Sequence, residues 1–395
     1  MSLPVSKRVQ RVKPSPTVAL TGRVAQLKAE GKDIIGLGAG EPDFDTPTHI
    51  ADAGVEAIRK GHTRYTAVEG TAELKDAIIA KFKRENGLDY ARKQVLVSSG
   101  AKQTIFNLIL AVIDPGDEAV IPAPYWVSYP DMVLLADGVP VTPYAGADQG
   151  YKITPAQLEA AITPKTRLFI LNSPSNPTGA AYTRAELRAL GEVLMKHPKI
   201  VICTDDMYEH IYWADEPFVS FANVCPELYD RVVTTNGVAK SYAMTGWRLG
   251  YAIWPGKLYD YARKLAVNLH SCVNAPTQFA GLAALTGPQD AAAQMVAEFD
   301  KRRAIVVEGL NRLPGVSCVM PKGAFYAFPN VKRTGWKAKP LAASLLEDSG
   351  VALIGGPDFG ILGEGYVRVS YANSTENILK ALDRMGEFLS SRKAA

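Results

Sequence analysis

The sequence lacks the signatures of several large protein classes. Its four cysteines, Cys203, Cys225, Cys272 and Cys318, lie far apart with no CxxC spacing. Neither a zinc ribbon nor a disulfide framework fits that pattern, and buried, reduced thiols are expected. The five histidines form no HxxxH or HExxH set, so metal catalysis has no basis in the sequence and no metal is expected. The longest apolar run, Phe106–Ile113, is interrupted by Asn107 and is too short to span a bilayer. The opening MSLPVSKRVQRVKP has no apolar core of the kind a secretory signal needs. A cytoplasmic protein without a membrane partner is therefore expected.

A strong charge excess is missing too. The formal net charge is +4 over 395 residues, and the one basic cluster, Lys7, Arg8, Arg11 and Lys13, sits in a Pro-containing N-terminal arm. That arm reads as a solvated tail, and no nucleic-acid partner is expected. What is present is an ordinary globular composition, 47% hydrophobic and 21% charged, long enough for two lobes.

Short β-branched runs recur between amphipathic segments: QVLVSS at 94–99, DEAVIP at 117–122, RLFILN at 167–172, KIVICTDD at 199–206, RVVTTNG at 231–237 and RLGYAIW at 248–254. Helical patterns such as Ala101–Ile113 and Thr183–Lys196 fill the gaps. That alternation predicts a mostly parallel sheet covered on both faces, an α/β architecture whose ligands bind outside the carboxyl ends of the strands. After about residue 288 the pattern changes. A long helix over Asp290–Leu313 precedes VSCVM, GAFYAF, VALIG and YVRVSYA, and a last helix starts near Ser374, which suggests a smaller α+β lobe. A helix-like Leu20–Ala29 and a strand-like Asp33–Leu37 are expected to pack with it.

The residues that follow the strands carry chemistry. Asp205 ends a very apolar run, and a carboxylate there must be neutral or meet a cation such as a protonated pyridine nitrogen; capping a helix over DMYEH is the simpler alternative. Tyr208, three residues on, offers a phenol to the same planar ligand or serves as a core aromatic. In NSPSNPTG (172–179), Asn176 presents an amide at the sheet edge, either to a phenolate-like oxygen or merely within a turn. SSGAKQ puts Gly100, Ala101 and Lys102 at a helix N-terminus, a natural seat for phosphate, with Arg248 supplying a permanent charge from another strand edge. A phosphate, a basic pyridine and a phenolic oxygen together describe pyridoxal phosphate, whose aldehyde condenses with a lysine amine; Lys240 in AKSYAMTGWRLG is that lysine.

In this order, GAGEPDFDTP, YWVSYP, NSPSNPTG, TDDMYEH, AKSYAMTGWRLGYA, GAFYAF and VRVSYA make the chain resemble, from about Arg11 onward, the class I aminotransferases of fold type I, in their bacterial aspartate aminotransferase branch. The resemblance implies a mostly parallel seven-stranded sheet in a large pyridoxal-phosphate-binding domain, residues 46–288. Residues 1–45 would form an N-terminal arm and part of the small domain, and 289–395 the small C-terminal domain. It also implies pyridoxal 5'-phosphate as cofactor, with Lys240 as the Schiff-base lysine and proton shuttle. Asp205 would face the pyridinium, Tyr208 and Asn176 the 3-oxygen, and Trp126 the ring face. Gly100, Ala101, Lys102 and Arg248 would line the phosphate pocket, joined by Tyr65 from a neighbouring subunit of an obligate homodimer. Arg368 would clamp the substrate α-carboxylate beside the backbone of Gly40.

Such relatives exchange amino groups between amino acids, commonly aspartate or glutamate, and 2-oxo acids such as 2-oxoglutarate or oxaloacetate, by a ping-pong mechanism. Lys102 either reads the distal carboxylate or serves the phosphate. Some relatives also use prephenate, an activity that goes with a basic residue matching Lys13, although NVKRTGWKAKPLAASLL is shorter here and lacks a Thr-Asp passage. Alternatives on the same scaffold are an aromatic aminotransferase and a β-C–S lyase. A non-catalytic regulator is not expected, because only about a dozen residues precede the match, too few for a helix-turn-helix pair.

Overall fold

A computed structural model describes residues 3–392; the outermost positions of the first and last expected segments, 1–2 and 393–395, lie outside the described residues. Seven strands form the central sheet. Their order is Val95–Ser98, Gly250–Ile253, Val232–Gly237, Val201–Asp205, Thr166–Asn172, Glu118–Val120 and Val139–Val141. All neighbours pair in parallel except Gly250–Ile253, which runs antiparallel to both strands beside it. The sheet is α/β and mostly parallel, as expected.

Six of the seven strands coincide with the apolar runs of the sequence. Their residues are buried almost without alternation, because helices cover both faces and neither face can be polar. The seventh, Val139–Val141, is absent from those runs. It holds Pro140 and lies at the sheet edge, where a missing backbone donor is tolerated and burial is slight. The covering helices are capped by their own sequences. Thr183 accepts from the amide of Glu186, whose carboxylate accepts in return from the amide of Thr183, and this box opens the helix Arg184–Met195.

The second core gathers around the helix Asp290–Arg312. It includes Phe299, Leu310, Phe325, Val369, Ile378 and Met385, and it reaches Met207, Tyr208 and Ala239 at the edge of the large sheet. Tyr326–Ala327, Val367–Ser370 and Ile354–Gly355 make a small antiparallel sheet, flanked by the helices Ala338–Ser349 and Thr375–Ser391. Ile35–Gly36 pairs in parallel with Val351–Ala352, so the N-terminal segment does pack with the C-terminal one. The basic arm is not merely a solvated tail: Lys7–Gln10 forms a short helix, and Arg8 and Arg11 pair with Asp137. The next helix spans Pro16–Ala29, four residues longer than its apolar pattern, because Ser15 caps it and Pro16 suits its first turn.

Two further local expectations, and one alternative reading of Asp205, are not met. VSCVM forms only an isolated bridge, Ser317 to Asn330, because Val319 and Met320 are exposed and have no layer to bury against. DMYEH forms turns and no helix, so Asp205 caps nothing. Of the four free thiols only Cys203 and Cys225 are buried; Cys272 and Cys318 are partly exposed. No helix among the described residues is long and apolar enough to cross a membrane.

Candidate active site

The strand register brings the carboxyl ends together: Asn172 pairs with Asp205, and Asp205 with Thr235. Between these ends and the small sheet lies a cavity of about 370 Å³. Gly40, Gly100, Ala101, Lys102, Trp126, Asn176, Asp205, Tyr208, Lys240, Arg248 and Arg368 all line it. Lys13 and Tyr65 do not. Lys13 lines a neighbouring cavity with Tyr125 and Asp131, and Tyr65 is 90% exposed on the surface of the chain.

Lys240 follows the strand Val232–Gly237, and its Nζ donates to the carbonyl of Gly40 at 2.5 Å. Burial lowers its pKa to about 8; the nearby cations Arg248 and Arg368 act in the same direction, while Glu41 and Asp205 oppose them. A lysine in this environment remains mostly cationic near pH 7 but reaches its neutral, nucleophilic form at far lower pH than an ordinary lysine.

Asp205 is buried, and burial raises its pKa against the opposing hydrogen bonds. The Tyr129 hydroxyl donates to Oδ2 at 2.6 Å and the Met207 amide to Oδ1 at 3.3 Å. Asn172 holds the backbone here, donating to the Asp205 carbonyl at 2.9 Å and accepting from the Asn176 amide at 2.8 Å. Tyr208 shares a 2.9 Å hydrogen bond between hydroxyls with Tyr326.

Arg368 enters from the small sheet and is 2% exposed. Its guanidinium donates to Asn176 Oδ1 at 2.9 Å and to the Gly38 carbonyl at 2.7 Å, over the ring of Tyr326. Its Nε is buried without a partner. A donor left in that state costs about 1–3 kcal/mol, which a bound acceptor would recover.

Gly100 caps the helix Ala101–Val112 at φ +87°, and a Cβ there would lie 2.6 Å from an Arg248 terminal nitrogen. The first amides of that helix have no helical acceptors, and the Arg248 guanidinium packs against the same turn. Lys102 Nζ stands 4.9 Å from the centre of the Trp126 ring, and burial, then Arg248, lowers its pKa. The lining thus holds four cationic side chains, Lys102, Lys240, Arg248 and Arg368, against two carboxylates, Glu41 and Asp205. Such an excess in a concave, partly desolvated space calls for anionic ligands.

A family model for aminotransferase class I and II matches residues 32–385. The chain belongs to that family. The aspartate/prephenate aminotransferase of Nitrosomonas europaea is 50% identical, with 98% of this chain and all of that protein covered. The protein of the same name from Cereibacter sphaeroides is 51% identical over 97% and 98%. Among solved structures, the aspartate aminotransferase of Rhizobium meliloti superposes with a TM-score of 0.94 at 44% identity, covering 98% of this chain and 99% of that one. This aminotransferase therefore has the fold expected of it, and it acts on amino acids and 2-oxo acids.

Sequence reasoning missed several residues of the aminotransferase cavity. Tyr129 lies three residues after Trp126 within YWVSYP, and Tyr326 within GAFYAF; their positions are legible, but their hydrogen bonds to Asp205 and Tyr208 join elements far apart in the chain. Ser15, the cap of the helix Pro16–Ala29, and Thr17, Val18 and Thr21 within it also line the cavity and carry no local signal.

Proposed function

We propose that the cavity binds pyridoxal 5'-phosphate covalently through Lys240, and that the enzyme transfers the amino group of L-aspartate or L-glutamate to 2-oxoglutarate or oxaloacetate. The observation that carries this reading is the convergence of a buried lysine of lowered pKa, a buried aspartate and a guanidinium against a glycine-capped helix N-terminus in one cavity. The residues fit the coenzyme in charge and in space. Arg248 and the first amides of the helix after Gly100 suit a phosphate, and the absent Cβ of Gly100 leaves room for the Arg248 guanidinium. A protonated ring nitrogen beside Asp205 would keep that carboxylate ionised in spite of burial.

When bound, the coenzyme supplies an aldehyde for amine exchange and a cationic ring that draws electrons from the substrate. The chain supplies the rest. Lys240 would take the substrate α-proton and hold it for return, a task for which an amine titrating near 8 is suited. Asp205, held by Tyr129, keeps the ring proton in place. Tyr208 and Asn176 would hold the ring oxygen, and Trp126 would cover the ring face. Arg368 receives the substrate α-carboxylate, with Gly40 beside it. Lys102 either reads the distal carboxylate of a dicarboxylic substrate or adds to the phosphate charge.

Prephenate is a second acceptor in this reading. The two relatives at 50% and 51% identity carry aspartate/prephenate names, and Lys13 lines the cavity next to the active one. The reading further comprises a cytoplasmic homodimer in which Tyr65 completes the partner's phosphate pocket; exposed Val55, Ile58 and Tyr65 on one segment, and thiols free of disulfides, support it. Residues 46–288 are assigned to the coenzyme domain, and 1–45 with 289–395 to the smaller one.

Half-reaction spectra with coenzyme-loaded enzyme test the proposal. Aspartate alone is expected to change the coenzyme absorbance and release oxaloacetate, whereas ammonia and pyruvate released from cystathionine would indicate a lyase. Lys102→Ala is expected to impair aspartate more than an apolar amino acid; equal losses would assign Lys102 to the phosphate.

A further inference from the structure

The turn after the strand Val201–Asp205 sends its residues to two places. Asp205 and Tyr208 line the cavity, while Glu209 and His210 join a charged cluster outside its lining. Lys81 is fully buried and pairs there with Glu209 and, at 3.5 Å, with Glu85. Glu209 accepts from Asn236 Nδ2 at 2.7 Å, at the end of the strand that leads to Lys240. His210 meets Glu85 through Nε2 at 2.8 Å and the Ser241 hydroxyl through Nδ1 at 2.8 Å. Ser241 is 2% exposed and directly follows Lys240.

Glu85, Glu209 and His210 offer ligand atoms within 4.8 Å of one another, but the Lys81 ammonium already lies against both carboxylates, so the cluster carries its own cation. Apolar side chains of equal volume would stabilise the fold as well as buried ions do. What the ions add is direction, because each hydrogen bond fixes the orientation of the segment that bears it. Here the bonds tie three segments together: the end of helix Ala72–Lys81 with the turn that follows it, the turn of Asp205 and Tyr208, and the loop of Lys240.

We propose that His210 is a positioning residue: through Ser241 it fixes the backbone from which Lys240 projects, while the Lys81–Glu209 pair holds the turn that carries the imidazole. The inference rests on the role given above to Lys240.

The test compares side chains that keep one bond or the other, in holoenzyme. His210→Asn places an amide where Nδ1 stands and keeps the bond to Ser241; His210→Gln places it where Nε2 stands and keeps only Glu85. His210→Gln and His210→Ala are expected to lower kcat roughly five- to tenfold, about the value of one net hydrogen bond, with KM little changed. In both, the pH midpoint of the bound coenzyme's absorbance is expected to move, and His210→Asn is expected to restore both readouts. Ser241→Ala should reproduce the His210→Ala loss, and the double variant should lose no more than either alone. Equal behaviour of the Asn and Gln variants, an unmoved absorbance midpoint, or losses that multiply in the double variant would each overturn the inference. Should His210→Ala not fold, the Asn and Gln pair still decides. A wild-type protein that takes up no coenzyme would instead sink the function proposed above.

Discussion

The hydroxyl of Tyr129 donates to Asp205 Oδ2 at 2.6 Å, and both residues are buried in the lining of the cavity. A neutral donor holding a desolvated carboxylate in one orientation is worth about 1.5–3 kcal/mol. Tyr129→Phe is therefore expected to lower kcat roughly tenfold or more. It should also weaken coenzyme retention, read by dialysis and absorbance. Unchanged retention would mean that Asp205 is held adequately by its other partners.

Under the function proposed above, the lowered pKa of Lys240 sets a pH dependence for coenzyme uptake by apo-protein. Because burial favours the neutral amine, the reactive form is already half populated at about pH 8. The uptake rate, followed by stopped-flow absorbance, is expected to rise from pH 7 to 9 and then level off. An ordinary lysine would drive a continued rise toward its usual value of 10.5. Lys240→Ala should abolish covalent uptake and reduce transamination by more than about 100-fold, the lower end for loss of a general base.

Gly100→Ala adds a methyl group 2.6 Å from the Arg248 guanidinium at a residue whose φ is +87°. With ψ at 156° this is an extended positive-φ conformation almost confined to glycine, costing another residue about 1–3 kcal/mol, and Arg248 must also move. A fall in melting temperature together with weaker coenzyme binding is expected. A stability loss with normal binding would show that Arg248 has room to adjust.

Arg302 of the long helix clamps Asp43 with two hydrogen bonds of 2.7 and 2.9 Å, and this loop also presents Gly38 to Arg368 and Gly40 to Lys240. Removing one partner of a buried pair costs about 3–5 kcal/mol, and the 27% exposure of the Asp43 side chain places this one at the low end. Arg302→Ala should lower the urea midpoint and raise KM for the amino donor; a stability change with KM intact would separate the loop from substrate recognition.

Asp206 faces away from the cavity, and burial, reinforced by Glu209, raises its pKa from 3.8 to about 8. Folding thus takes up a proton at this carboxyl between those values, so its contribution to stability is full below pH 4 and is lost as pH rises through 8. Asp206→Asn is expected to reduce the drop in melting temperature between pH 6 and pH 9. An identical pH profile in the variant would show that the carboxyl titrates normally.

Much of the fold is legible in local chemistry. Six strands matched β-branched runs, and the helix start at Thr183 carried a capping residue, whereas the first turn after Ser15 lay outside its apolar pattern. Val139–Val141 escaped because a short edge strand with a proline needs little burial, and VSCVM misled because β-branched residues without a partner layer form no strand. At the site, Lys240, Asp205 and Gly100 were legible only in combination, because each taken alone has an ordinary structural reading as a surface lysine, a helix cap or a turn glycine. Tyr129, Tyr326 and the Lys81–Glu209 pair did not, since a tyrosine or a paired charge reads the same in a core as in a cavity.

The sequence by itself determined the alternation of strands and helices, and with it the sheet edge at which ligands bind, because periodicity and capping act over a few residues. It also determined which reactive groups end the strands. Only the tertiary structure decided that Arg368, 128 residues after Lys240, meets Asn176 at the same cavity while bonding to Gly38, and that burial lowers the pKa of Lys240 while raising that of Asp205. Desolvation and long-range hydrogen bonds depend on what surrounds a group, and those surroundings exist only once the chain has closed around it.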